Sequence, residues 1–226
     1  MNKLKSIITR AQFMYFGFFD KLIFFINTRK HFGAFRFWLV RFIYKLNPFF
    51  PESRNKRFDF VLKYLPHLKM VNWIDVPALE IGCVDSLLLY EIKRRRYRAY
   101  GIDIRNYQSI LPKDIQFRQW DITSKDKPPI HGKFKYIICL SVIELLGCGL
   151  YGDEKKDNTD DIAIQNIHDL LDDDGYFILS LPIPWWRGVD SRGYNFHEII
   201  KLLQDKFSII EMTQCGGHTC MALVKK

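Results

Sequence analysis

The chain has 226 residues, 48% hydrophobic and 26% charged, which is ordinary for a folded globular protein and excludes disorder. Its formal net charge of +9 is uneven: residues 1–63 hold 13 Lys/Arg and 3 Asp/Glu, and residues 64–226 hold 21 and 22. The basic pI therefore describes an arm and not the body.

That arm also carries 17 of the 35 aromatic residues, and the composition step sets a boundary near Phe58 to Lys69. The expected organisation is a basic, aromatic-rich helical arm over 1–63 and a second domain over 64–226. At helical spacing, Leu4, Ile7, Ile8, Ala11, Met14, Tyr15, Phe18, Leu22 and Phe25 fall on one stripe. A second stripe runs through Phe35, Trp38, Leu39, Phe42, Ile43 and Leu46, and Pro48 and Pro51 stop it. The longest uncharged run of the arm, Ala11 to Phe19, is nine residues, well short of the roughly 18 to 20 that span a bilayer. No small-residue cleavage pattern follows it, so no secretory signal is expected. Two basic amphipathic helices suit an anionic membrane surface reached through residues 1–50, which implies a cytoplasmic protein peripheral at the inner membrane face. A lid or dimer face is a second reading of the same residues. Nucleic-acid binding is a third, less favoured because such arms carry less continuous aliphatic and Phe content.

From Asp75 the periodicity changes. Short apolar runs at Pro77–Ile81, Arg98–Ile102, Gln116–Gln119, Tyr136–Leu140, Tyr176–Leu181, Phe207–Cys215 and Thr219–Val224 read as strands. Ser86–Arg95, a short element after Arg105, Asp160–Leu171 and Phe196–Asp205 read as helices. Strand–helix alternation predicts an α/β fold with a doubly wound, mostly parallel sheet covered on both faces. Only Gly216, Gly217 and His218 join the last two strands, so these form a C-terminal antiparallel hairpin.

In such a sheet a ligand sits over the carboxyl ends of the strands. "EIGCVDS" (Glu80–Ser86) ends the first strand and holds a single glycine, Gly82. Asp103 ends the next strand, 21 residues on, where an acid accepts hydrogen bonds from a ribose. Asp121 ends the third, where its side chain or the following N–H can read an adenine. Dinucleotide loops need more glycine because a pyrophosphate must approach the helix N-terminus. Sparse glycine with two strand-end acids favours S-adenosyl-L-methionine, which has no phosphate.

"LEIGCVDSLLLYEIKRRRYRAYGIDIR" (79–105) and "SVIELLGCGLYGD" (141–153) resemble motifs of a poorly characterised group of class I, Rossmann-like methyltransferases. That group reads G-C-V-E-S-L-L, G-I-D-I-R and S-T-I-E-H-x-G-L-G-x-Y-G-D. "IHDLLDDDGYFILSLPI" (167–183) matches its next helix, turn and strand, and the resemblance covers residues 75–226. It implies that Glu80, Gly82 and Cys83 line the methionine end of the cofactor. Asp103 with Ile104 then holds the ribose, and Asp121 with Ile122 the adenine. Ser141 to Glu144 form the floor beside the transferred methyl group. "GCGLYGD" becomes an acceptor-side loop, its turns made by Gly147, Gly149 and Gly152, with Tyr151 and Asp153 facing the substrate. Leu145 departs from the group, which has a histidine there, and Cys148 is a second departure. Glu144, Asp153, His197 and His131 are the remaining candidates for a general base; alternatively the acceptor needs none, or the site has lost activity.

The implied activity is O-methylation of a sugar, glycan or lipid-linked acceptor near a membrane. An RNA methyltransferase using the arm and a non-catalytic cofactor-binding scaffold are the rival expectations. Five cysteines without a C-x-x-C pair suit buried thiols, and no metal site is expected. "KRRRYR" (93–98) reads as a helix end or a phosphate patch. "LPIPWWRG" (181–188) places Trp185, Trp186 and Arg187 at the ligand edge or in the core. No Walker loop, G-x-S-x-G elbow or H-E-x-x-H is present.

Overall fold

The computed structural model describes Leu39, Phe42 and residues 53–68, 75–85, 88–106, 111, 114–182 and 192–226. The remainder of the arm, the short element after Arg105 and the Trp185–Arg187 segment lie outside the described residues. The elements are α1 (Ser53–Tyr64), β1 (Pro77–Ile81), α2 (Leu88–Arg94), β2 (Arg98–Asp103), β3 (Gln116–Gln119) and β4 (Phe134–Leu140). They continue with α3 (Thr159–Leu170), β5 (Leu171–Pro182), α4 (Phe196–Leu203), β6 (Phe207–Gln214) and β7 (His218–Lys225).

The strands form one seven-stranded sheet in the order β3-β2-β1-β4-β5-β7-β6. β1 to β5 pair parallel, and β7 runs antiparallel to both β5 and β6. Alternate strand residues feed two cores, as period-2 side chains must. Ala78, Ala99, Ile138, Ile178 and Ala222 pack with α1 and α2 on one face. Leu79, Ile81, Ile102, Ile137, Phe177 and Leu179 pack with α3 and α4 on the other. The sheet is therefore doubly wound, as its near-continuous apolar strands predict.

The helices follow their apolar spacing. In α3, Ala163, Ile164, Ile167 and Leu170 are buried at i, i+1, i+4 and i+7. α4 starts with a capping box: Asn195 Oδ1 accepts from Glu198 N–H at 2.9 Å, and Glu198 Oε2 accepts from Asn195 N–H at 2.7 Å. β5 begins five residues earlier than its apolar run suggests. Leu171 pairs with Phe134 ahead of a register shift, and Lys135 and Lys225 hold Asp174 and Asp173 at 2.5 and 3.1 Å.

α1 crosses the boundary expected at residue 63. Its Phe58, Phe60 and Val61 are buried in the body's core, as is Leu65 just beyond it, and Leu39 of the arm packs on the same cluster while Phe42 is exposed. Tyr64 donates to Glu211 on β6, and Lys63 reaches the same carboxylate at 2.5 Å. "KRRRYR" spans the C-terminal end of α2 and the start of β2. Arg94 and Arg95 hold the fully buried Glu91 at 2.6 and 2.8 Å, and Arg98 pairs with Asp75 at 2.6 Å. Arg95 also donates to the carbonyls of Leu62 and Leu65, capping the C-terminus of α1. Most of these cations stay partly exposed, as at a solvated helix end.

Candidate active site

β1 and β4 are neighbours, yet β1 leads outward to β2 while β4 leads the other way to β5, so their following loops diverge and leave a crevice. A cavity of about 380 Å³ lies there, within the size range of small-molecule sites.

Its floor is the turn after β1. Gly82 has φ +71°, and a Cβ on it would lie 2.4 Å from Val142 Cγ2, so the turn and the segment after β4 meet without room for a side chain. Gly82 N–H donates to Ile102 O at 2.9 Å, and Val84 N–H donates to Asp103 Oδ2 at 3.1 Å. Arg105 closes on the same carboxylate, its backbone N–H at 2.9 Å and its Nε at 3.1 Å from Oδ1. Its guanidinium also sits 4.6 Å from the centroid of Tyr151, linking the end of β2 to the loop after β4. Asp121 Oδ1 accepts from Thr123 N–H and Oγ1, both at 2.8 Å. Between the two acids, Trp120 lines the cavity, and its buried Nε1–H has no hydrogen-bond partner among the described residues.

The opposite wall comes from the end of β4. Ser141 adopts φ +56° and accepts a hydrogen bond from Arg57 of α1. Behind Ser141 lies Glu144, which is 4% exposed and whose Oε2 has no hydrogen-bond partner among the described residues. Burial pushes Glu144 up to about 7, against the pull of its own N–H, Arg57 and Ser141. Gly147, Gly149 and Gly152 all have positive φ (69°, 76° and 91°), which folds "GCGLYGD" back on itself. Asp153 accepts from the N–H groups of Gly149 and Tyr151, both at 3.2 Å. Burial raises its carboxyl, but these and neighbouring N–H groups outweigh it and hold Asp153 below its ordinary value. Asp153 thus shapes the loop and is a weak base.

Arg192 secures the loop from outside. Its N–H donates to Glu144 O at 2.8 Å, and its guanidinium pairs with Asp160 at 2.7 Å and donates to Lys156 O at 2.8 Å.

No protein-family model matches the sequence, nor does any curated protein. Solved structures do match. Magnesium protoporphyrin IX methyltransferase from Synechocystis PCC 6803 with bound SAM aligns over 77% of this chain and 80% of that one, at 19% identity and a TM-score of 0.54. The N-methyltransferase NodS from Bradyrhizobium japonicum WM9, in complex with S-adenosyl-L-homocysteine, aligns over 80% and 88%, at 17% identity and a TM-score of 0.57. The 1,6-didemethyltoxoflavin-N1-methyltransferase of Burkholderia thailandensis aligns over 78% and 79%, at 12% identity and a TM-score of 0.56. The chain has the Rossmann-like methyltransferase fold.

On this methyltransferase fold the structure brings eight of the expected residues to the cavity wall: Gly82, Asp103, Ile104, Asp121, Ile122, Ser141, Tyr151 and Asp153. Glu80, Cys83 and Glu144 are buried and stand off it. Burial, with Glu80 and Asp103 nearby, pushes the Cys83 thiol well up, so it packs as a small apolar group. His131 and His197 are exposed and outside the cavity, which removes them as bases acting in it. Arg57, Arg105, Trp120 and His218 line the cavity without having been anticipated as site residues. Arg105 and Trp120 adjoin anticipated acids and were findable from position. Arg57 and His218 arrive from a helix and a strand distant in sequence, and nothing local marks them.

Proposed function

We propose that the chain is a methyltransferase that uses S-adenosyl-L-methionine and methylates a hydroxyl of a sugar, glycan or lipid-linked acceptor at a membrane surface. The observation that carries this reading is the cavity at the switch point, with Gly82 on its floor and Asp103, Trp120 and Asp121 along one wall. The residues fit the cofactor. Asp103 can accept from a ribose diol, and Asp121 stands beside it on the same cavity. The crowding at Gly82 leaves backbone in contact with the ligand, and with one glycine the loop suits an aminoacid end better than a pyrophosphate. The bound cofactor supplies an electrophilic methyl group on a sulfonium.

The chain's own residues orient and accept a proton. Ser141 stands on the wall and lies near enough to Glu144 to favour its charged form, so a proton leaving an acceptor hydroxyl can pass through Ser141 to that carboxylate. A buried carboxyl near 7 is half ionised at neutral pH, which is the state such a role needs. The Arg105–Tyr151 contact ties loop 147–153 to the end of β2 beside this wall. The motif resemblance over residues 75–226 favours the same assignment. An oxygen acceptor is preferred because Glu144 offers a proton sink, although the similar structures include N-methyltransferases. The membrane surface rests on the basic aromatic arm alone; among the described residues no helix is long and apolar enough to cross a membrane. RNA as acceptor is less favoured, since the arm carries more continuous aliphatic and Phe content than nucleic-acid arms do.

Calorimetric titration of S-adenosylmethionine into the full-length protein and an Asp103→Ala variant tests the reading. Micromolar binding that the variant loses supports it. Absence of binding to the unaltered protein refutes it.

A further inference from the structure

The Asp103 carboxylate already has a full set of donors. Its Oδ1 accepts from the backbone N–H of Arg105 at 2.9 Å and from Arg105 Nε at 3.1 Å. Its Oδ2 accepts from Val84 N–H at 3.1 Å and from Arg105 Nη2 at 3.3 Å. An ionised carboxylate offers about four lone-pair sites, so a vicinal diol can bond Asp103 only where a present donor leaves. Two of the four belong to the main chain, in the turn after β1 and at the end of β2. The guanidinium is the donor that can leave, since it ends a long side chain that is 33% exposed, against 3% for Asp103.

The same guanidinium lies 4.6 Å from the ring centroid of Tyr151, at the tip of the loop after β4. Among the described residues the hydrogen bonds of this tip are its own, Asp153 accepting from Gly149 and Tyr151 N–H. Leu150 and Tyr151 are 41% and 45% exposed. Resting on the function proposed above, we infer that Arg105 is a latch between the cofactor and acceptor sides of the cavity. Closed, it neutralises Asp103 and holds Tyr151 to the end of β2. A ribose diol on Asp103 takes the two places of the guanidinium, which turns outward and releases the tip of the loop. Occupancy of the ribose site thereby loosens the acceptor-side wall, where Tyr151 and Asp153 line the same cavity. The coupling is reciprocal, so a closed latch weakens nucleoside binding.

The test uses full-length protein with adenosine and 2′,3′-dideoxyadenosine, which differ in the diol alone, each at saturation by calorimetry. Chymotrypsin cleavage after Leu150 and Tyr151, mapped by mass, reads release of the tip. Adenosine should speed that cleavage about two- to fivefold, the size of an exposed cation–π contact, and the dideoxy nucleoside should leave it unchanged. Arg105→Met should show the faster cleavage without ligand. It should also bind adenosine about threefold or more tighter, because its side chain no longer competes for Asp103. Cleavage left unchanged or slowed by adenosine, or sped equally by both nucleosides, overturns the latch. Weaker adenosine binding by Arg105→Met overturns it too, marking Arg105 as a ligand contact. Where that variant fails to fold, the two nucleosides on the unaltered protein still decide. S-adenosylmethionine binding without faster cleavage removes the latch alone, whereas no binding of S-adenosylmethionine or adenosine removes the methyltransferase reading with it.

Discussion

Replacing Glu144 with glutamine should make the protein progressively more stable than the parent as pH rises through the acid range. A buried carboxyl shifted from 4.5 to about 7 makes the folded state hold a proton that the unfolded state releases. Its contribution is therefore fully present below pH 4.5, declines as pH rises, and is lost once pH passes about 7. At 1.36 kcal/mol per pH unit, that interval corresponds to about 3 kcal/mol. Glutamine does not titrate, so the stability difference between variant and parent should grow by about 3 kcal/mol between pH 4.5 and 8. A constant offset is expected as well, because the buried amide brings donors of its own, costing about 1–3 kcal/mol at every pH. Urea unfolding of both proteins at half-unit pH steps separates the slope from that offset. A difference that stays flat from pH 4.5 to 7 refutes the burial argument and, with it, Glu144 as a group half ionised at neutral pH. Turnover should follow the same titration: parent activity rises toward a plateau above pH 7, and the glutamine variant lacks that limb.

Gly82→Ala should damage the site and the fold together. Alanine at φ +71° costs about 1 kcal/mol, and its Cβ must displace Val142 Cγ2 from 2.4 Å. Thermal unfolding should fall by about 2–4 °C for each kcal/mol lost, and cofactor affinity by about tenfold or more; an unchanged melting curve with unchanged binding contradicts the close approach. For the arm, the full-length protein should sediment with vesicles containing anionic phosphatidylserine and retain part of that binding in 0.5 M salt through apolar contact. Binding to RNA with steep salt dependence and none to vesicles would reverse the choice of surface.

The sheet was legible because buried parallel strands are written as short apolar runs, and six of the seven start within two residues of those runs. β5 was the exception, since it pairs with Phe134 already at Leu171 and runs on through acidic residues whose type signals a turn. The acids of the site were legible for a related reason: Asp103 and Asp121 sit where a strand ends, a place that spacing alone identifies. The cysteines followed from their apolar surroundings, with Cys83, Cys139, Cys215 and Cys220 buried and free. Glu91 was not legible. Within "YEIKRRR" it looks like one charge of a solvated helix face, yet it is fully buried because two arginines one turn away close over it. Burial raises its carboxyl, and the hydrogen bonds from Arg94 and Arg95 overcome that and hold it below its ordinary value. The i,i+3 and i,i+4 spacing encodes the pairing, but the burial of Glu91 depends on where α1 docks, which no local pattern encodes.

That docking also explains how the site comes to include the N-terminal segment. The carbonyls of Leu62 and Leu65 meet Arg95, beside Arg98 at the start of β2, so the C-terminal end of α1 lies at the edge of the sheet where the strands begin. Twelve helical residues span about 18 Å, enough to carry the N-terminal end across to the edge where the strands finish. Arg57 stands in that first half, adjacent to Phe58, whose stripe continues through Val61 and Leu65 into the core. A slip of one residue would turn the helix by about 100°, taking Arg57 off Ser141 and the apolar stripe off the sheet together. The register that buries the core is thus the register that delivers the guanidinium.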